Sequence, residues 1–275
     1  MITAVPYILH KVPYFLTPIL ATNCQTLLDE GVRQSGVKTI LIEDVEHQVY
    51  CDMVSDGGGW TIIQRRGDFG NSEDYFQRNW TEYRNGFGHP KKEVWLGLEN
   101  IYAISKSGPY EVSSLKIECK YLLRSTLSIR VSYCLLFQLS ITLEDFEADE
   151  VKILVKHFHL DNEDSNYPIL YTEFESSSPD FAQGLPSTGT SFLTESACPP
   201  SPYTGGWWIE TCNQSNLNGL NLRSEASEEE GLGITWIEWK GSKYSLKRTE
   251  MKIRPMQDES PSTPLIYSLP FKFKF

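Results

Sequence analysis

Residues 49–66 read Val49-Tyr50-Cys51-Asp52-Met53-Val54-Ser55-Asp56-Gly57-Gly58-Gly59-Trp60-Thr61-Ile62-Ile63-Gln64-Arg65-Arg66, and this stretch decides the fold. Gln48 to Met53 alternates as a strand does, and Trp60 to Arg65 returns as a second strand. Asp56-Gly57-Gly58-Gly59 between them reads as a tight turn, because consecutive glycines supply the positive φ that a hairpin needs. Upstream, Thr39-Ile40-Leu41-Ile42 is a further β-rich run. Downstream, a helix is expected from about Asn79, with Asn79 or Thr81 as N-cap and Gly86 as its stop. Val94-Trp95-Leu96-Gly97-Leu98 is apolar enough to be buried, and Asn100 to Ile104 reads as a short helix lying on it. Residues 23 to about 108 therefore form a compact α+β unit.

Composition narrows the function classes. The chain has 275 residues, 40% hydrophobic and 22% charged, which excludes disorder for most of its length. A folded chain of this size buries about three quarters of its unfolded surface. No run of 18 or more uninterrupted apolar residues is present, so membrane insertion through a helix is not expected. With 25 Lys and Arg against 36 Asp and Glu the net charge is −11, which repels nucleic acid and anionic membranes. The six cysteines, at 24, 51, 119, 134, 198 and 212, are too scattered for a zinc site. Their even count at wide intervals fits a few bridges in a secreted domain. Two glycosylation sequons, at Asn79 and Asn213, are compatible with that route. Residues 1–22 are apolar but broken by Pro6, Pro13 and Pro18, and two readings stay open: a signal peptide and a misassigned start.

The quoted blocks, with Cys24, Leu27 and Gly31 before them, resemble the opening of a fibrinogen C-terminal domain. Gly86-Phe87-Gly88 and Glu93 to Glu99 are similar to that family's next blocks. Gly205-Gly206-Trp207-Trp208, Cys212, Ser215-Asn216-Leu217-Asn218-Gly219, Gly233-Ile234-Thr235-Trp236, Trp239-Lys240-Gly241, Tyr244 to Lys247 and Met251 to Pro255 complete the pattern. The resemblance spans residues 23–256 and is closest in flavour to the tachylectin-like, ficolin-like branch of secreted lectins. It implies an α+β fold: a small N-terminal subdomain, a central twisted antiparallel sheet with short helices, and a loop-rich C-terminal subdomain that holds the ligand. Residues 119–140 interrupt the pattern and read as a genuine insertion, a long hairpin or translated intron, with the last preferred. Residues 257–275 match nothing in the family and read as a poorly ordered tail.

The resemblance also implies a site. It pairs Cys24 with Cys51 and Cys198 with Cys212, leaving Cys119 and Cys134 free or joined to each other. The second bridge would close a loop of about 15 residues, for which chain entropy gives about 3 kcal/mol. The family's calcium loop corresponds to Gly184 to Ala197, which contains no Asp and only Glu195 as a carboxylate. Calcium needs six to eight oxygen ligands, so binding is expected to be weak or absent and no cofactor is assigned firmly. Thr211-Cys212-Asn213 falls where lectin-like relatives hold an acetyl group by backbone N–H donors, with Trp207 and Trp208 packing below. Trp207 and Trp236 are expected to be core residues. Aromatic residues that many relatives carry at the pocket fall here on Glu230 and Ser242, and Tyr203 and Tyr244 are the residues available to compensate.

The remaining motifs carry little chemistry. Asp161-Asn162-Glu163-Asp164 lacks the spacing of an EF-hand and reads as a solvated turn. His157-Phe158-His159 sets two imidazoles on one strand face without a third zinc ligand. No nucleophile elbow, P-loop or dinucleotide fingerprint is present, so an enzyme is not expected. The expected function is a secreted, non-catalytic, innate-defence lectin for acetylated sugars on microbial or cell surfaces, a glycoprotein that forms homo-oligomers through the domain itself. The alternative is a fibrinogen-like protein-interaction or structural module with degenerate sugar and calcium sites.

Overall fold

A computed structural model of the chain describes residues 21–70, 76–106, 136–177, 179–194, 205–211 and 214–256. The triple-glycine turn is its sharpest local feature: Asp56, Gly57, Gly58 and Gly59 all have positive φ, from 50° to 90°. A side chain on Gly58 would place Cβ 2.4 Å from the Met53 carbonyl oxygen, so the turn admits only glycine there. Before it come α1 (Cys24–Asp29), capped by Asn23, and the antiparallel hairpin of β1 (Gly36–Ile42) and β2 (Val45–Asp52). After it comes β3 (Trp60–Arg66), paired with β2 at Cys51↔Thr61 and Asp52↔Trp60. Cys24 and Cys51 are joined by a disulfide, which ties α1 to β2.

The helix expected near Asn79 is α2 (Trp80–Asn85). Asn79 rather than Thr81 is its N-cap, because Asn79 and Glu82 close a reciprocal capping box and Gly86 ends the helix. β4 (Phe87–Gly88) and β5 (Val94–Trp95) pair with each other, β5 also pairs with β3, and α3 (Leu98–Ser105) follows. Next come β6 (Phe137–Glu144), β7 (Glu150–Leu160), β8 (Ile169–Leu170) and β9 (Glu173–Ser176). The rest is loop-rich: β10 (Phe192–Leu193), β11 (Trp207–Trp208), β12 (Ser215–Asn216), β13 (Thr235–Trp236) and α4 (Ile237–Lys240) precede β14 (Arg248–Pro255).

Among the described residues one ten-stranded sheet runs β1-β2-β3-β14-β6-β7-β8, with β5 on β3 and β9 on β7. The last strand lies in the middle, between β3 and β6. This is the α+β architecture the resemblance implied. Residues 119–135 of the atypical segment lie outside the described residues, whereas Phe137 to Ser140 open β6 and are buried. Residues 1–20 and 257–275 also lie outside. In β7, His157 is the extra residue of a bulge with φ of 56°, because Phe137 pairs with Phe158 but Gln138 pairs with Lys156. That bulge shifts the alternation between Lys156 and His157, and beyond it His157 and His159 again flank the buried Phe158.

The core is aromatic, and every fully buried indole has its N–H satisfied. Trp95 donates to the Tyr83 carbonyl (2.8 Å), Trp208 to Tyr167 (2.9 Å), Trp236 to Phe181 (3.0 Å), Trp60 to Ser55 (2.9 Å) and Trp207 to the Ser215 hydroxyl (3.2 Å). Burial without those partners would cost roughly 1–3 kcal/mol each. Phe192 joins Trp95, Trp208 and Tyr83 at ring separations of 5.1 to 5.6 Å, which locks the sheet to the C-terminal loops.

Candidate binding site

Polar residues of β3 fasten the C-terminal loops in place. Gln64 donates to the Leu217 carbonyl (3.0 Å) and to Asn218 (3.2 Å), and Arg66 donates to the Gly219 carbonyl (2.7 Å). Arg66 also pairs with Glu93 at 3.0 Å, both side chains being almost wholly excluded from solvent. Asn218 donates to the Gly206 carbonyl at 2.7 Å. Gly219 has to be glycine, since a Cβ there would sit 1.9 Å from the Gly233 carbonyl oxygen. Ser215 pairs with Trp236 and Ile237 donates to the Gln214 carbonyl, so the chain from Gln214 runs beside the start of α4.

Of the residues expected at the site, Thr211 is exposed, three residues past the β11 end of the aromatic core. Cys212, Asn213, Tyr203, Cys198 and Glu195 lie outside the described residues, as do Cys119 and Cys134. Trp208 is 1% exposed, and Trp207 and Trp236 are as deeply buried, so all three indoles belong to the core, Trp208 included, which was expected at the ligand. Asn79 is exposed on α2.

Tyr244 faces another task. Its hydroxyl donates to Glu147 and accepts from the Phe146 N–H, both at 3.1 Å, and Lys240 lies 5.3 Å from its ring centre. Lys240 in turn pairs with Asp145 at 2.5 Å. This cluster fastens the β6–β7 turn to α4. Burial opposes ionisation of Asp145, but the hydrogen bond and charge of Lys240 together with the Asp149 N–H outweigh it and hold the carboxyl below its usual range. Burial likewise raises the Tyr244 hydroxyl, which stays protonated.

Glu230 and Ser242, at the positions of the family's pocket aromatics, are brought together by the fold. Gly231 N–H donates to the Ser242 carbonyl (2.7 Å), and Ser227 N–H donates to the Lys243 carbonyl (2.9 Å). The loop thus pinned presents Glu225, Glu228, Glu229 and Glu230 to solvent. The wall there is carboxylate and hydroxyl rather than ring.

Glu210 was missed by sequence reasoning. Its Oε2 accepts from the Ser187 N–H at 3.1 Å, and hydrogen bonding from Ser187 holds its carboxyl below the usual range. The only signal was its place next to Thr211. The loop it touches is otherwise engaged with protein: the Thr188 hydroxyl accepts from Tyr171 N–H, Gly189 N–H donates to Ile169, and Ser191 donates to the Ser165 carbonyl. Among the described residues this set does not fit calcium, because Glu210 is the one carboxylate that reaches the loop and the Thr188 and Ser191 hydroxyls are already engaged. No group of three or more His, Cys, Asp or Glu suited to a metal occurs among the described residues. The turn at Asp161 is also more than solvated: Glu163 accepts from the Trp80 indole (3.0 Å) and from Arg84 (2.7 Å), anchoring α2.

Known proteins of this shape and sequence agree with one another. Residues 20–127 and 126–256 match the family model of the C-terminal globular domain of fibrinogen beta and gamma chains. Techylectin-5A of Tachypleus tridentatus is 34% identical over 249 residues, covering 86% of this chain and 74% of that protein. Angiopoietin-2 of Canis lupus familiaris is 35% identical over 246 residues, 86% of this chain but only 43% of its own length. A lamprey fibrin D-dimer, complexed with the peptide ligand Gly-His-Arg-Pro-amide, superposes with a TM-score of 0.68 at 26% identity, covering 93% of this chain and 80% of that one. With its sheet order, its staples on Gln64 and Arg66 and these matches, the chain belongs to the fibrinogen C-terminal domain family.

Proposed function

We propose that this chain is a secreted recognition domain whose ligand is a basic segment of a protein, held by the loops between Glu210 and Ser245. Membership in a family of non-catalytic domains makes it a binding protein rather than an enzyme. The observation that carries the choice of ligand is the Gly231–Ser242 clasp, which brings together Glu230 and Ser242, the residues that by resemblance stand in place of the aromatics of an acetyl pocket. Trp208 is buried and Tyr244 is held by Glu147, so neither opens toward a sugar. Exposed Glu225, Glu228, Glu229 and Glu230 on a chain of net charge −11 favour a cationic partner. The peptide complex of the lamprey relative is a precedent for a peptide segment carrying Arg. No helix among the described residues is long and apolar enough to cross a membrane.

The second reading is an acetylated-sugar lectin in innate defence, and the extent of the Techylectin-5A match favours it. In that reading the donors are at Thr211, Cys212 and Asn213, Tyr203 supplies the ring, and oligomers add avidity. Biolayer interferometry on immobilised full chain separates the two. Arg-rich peptides should bind in a salt-sensitive manner, and N-acetylglucosamine should neither bind nor compete. Saturable binding of the sugar with no response to peptide would reverse the order of the two readings.

A further inference from the structure

We propose that Asn79 carries an N-linked glycan whose first sugar rests in the hollow beside Trp80. The proposal rests on the reading of the chain as secreted, not on the choice of ligand. Asn79 is exposed at the N-terminus of α2, and Thr81, also exposed, completes the sequon. The capping box divides the carboxamide in a useful way. Oδ1 accepts from the Glu82 N–H at 3.0 Å, while the Asn79 N–H donates to Glu82 at 3.1 Å. Neither bond uses Nδ2, the atom that glycosylation requires. A glycosylated carboxamide keeps its oxygen, so helix cap and glycan are compatible.

The surroundings suit a sugar ring. An open hollow of about 430 Å³ is lined by Gln77, Arg78, Asn79, Trp80, Thr81 and Thr194. That is within the range of about 300–1,000 Å³ in which proteins hold small molecules. The Trp80 indole is fixed, donating to Glu163 at 3.0 Å and lying 6.0 Å from the Tyr167 ring. It offers a rigid apolar wall among hydroxyl and amide groups, the combination that a pyranose matches. In the transfer, Nδ2 bonds to the anomeric carbon of N-acetylglucosamine carried on a polyisoprenyl diphosphate. The carbon–oxygen bond to the diphosphate breaks, the diphosphate leaves with the electron pair, and the amide gives one proton to a base of the transferase. Nothing is oxidised or reduced. A glycan seated there covers the α2 face and leaves the C-terminal loops open to a partner.

The test is expression of the full chain in a glycosylating eukaryotic cell behind an added cleavable leader, so that entry does not depend on residues 1–22. Peptide mapping after glycosidase release should find Asn79 converted to Asp, with a gel shift on release. In an Asn213→Gln background, which removes the second sequon, Asn79→Asp, which keeps a good helix cap, and Thr81→Ala, which keeps Asn79 itself, should both lose that shift, and Thr81→Ser should retain it. A secreted chain with the Cys24–Cys51 bridge formed and Asn79 unmodified overturns the proposal, while leaving the ligand reading untouched. Trimmed to one sugar, the glycan should show nuclear Overhauser contacts between its acetyl methyl and the Trp80 ring. Their absence would overturn the seating in the hollow.

Discussion

Arg66 shows why charged residues can sit inside this protein. Its guanidinium meets Glu93 at 3.0 Å, the Gly219 carbonyl at 2.7 Å and the face of Phe76 at 3.9 Å, leaving no bare charge. Glu93→Ala would leave that cation buried without its partner, at a cost of about 3–5 kcal/mol. Chemical denaturation should show the midpoint fall accordingly. Asp52 gives a prediction in pH. Burial opposes its ionisation, yet the Lys252 ammonium at 2.8 Å and donors at Ser55 and Val54 prevail, holding the carboxyl well below the usual carboxylate range. A depressed folded-state pKa means the stabilisation is complete above the unfolded value of about 4 and is lost as pH falls below it. Asp52→Asn should therefore flatten the acid limb of the stability curve below about pH 4. An unchanged acid limb would show that Asp52 contributes nothing to it.

The elements differ in how far they could be read from local sequence. The β2–β3 pair was legible because alternation and three glycines are local signals, and α2 because Asn79, Glu82 and Gly86 are. β14 was legible as a conserved-looking block by resemblance, but not its place between β3 and β6. The Arg65–Glu250 bond there joins residues 185 positions apart, beyond any periodicity. The role of Tyr244 was hidden for the same reason, since its partners Phe146 and Glu147 belong to a distant turn. Glu210 was hidden because only the fold brings Ser187 to it. At this scale Gly219→Ala tests the seating of β12 and β13. The added methyl meets backbone, so we expect about 1–3 kcal/mol or more of destabilisation, read as a drop in the thermal midpoint. The loop from Gly184 to Thr194 offers too few carboxylates for calcium. Thermal midpoints in millimolar calcium and in chelator should coincide, and a clear rise with calcium would show a shell completed by other residues.

For the whole molecule, the aromatic cluster and the β3 staples make sheet and C-terminal loops one folded unit, so a binding loop is held by the core beneath it. The Cys24–Cys51 bridge spans 27 positions, for which chain entropy gives about 3.5 kcal/mol. Reduction should lower the denaturation midpoint by a corresponding amount. The central claim, a basic protein ligand in place of an acetylated sugar, is tested most directly by one paired binding measurement. Full chain and the Glu228→Gln, Glu229→Gln, Glu230→Gln triple variant are titrated with an Arg-rich peptide and with N-acetylglucosamine, at low and at physiological salt. The account predicts peptide binding that weakens with salt and drops about tenfold or more in the variant, since each exposed charge pair contributes up to about 1 kcal/mol, with no sugar binding in either protein. Sugar binding that survives in the variant, with no peptide binding in either, would contradict it.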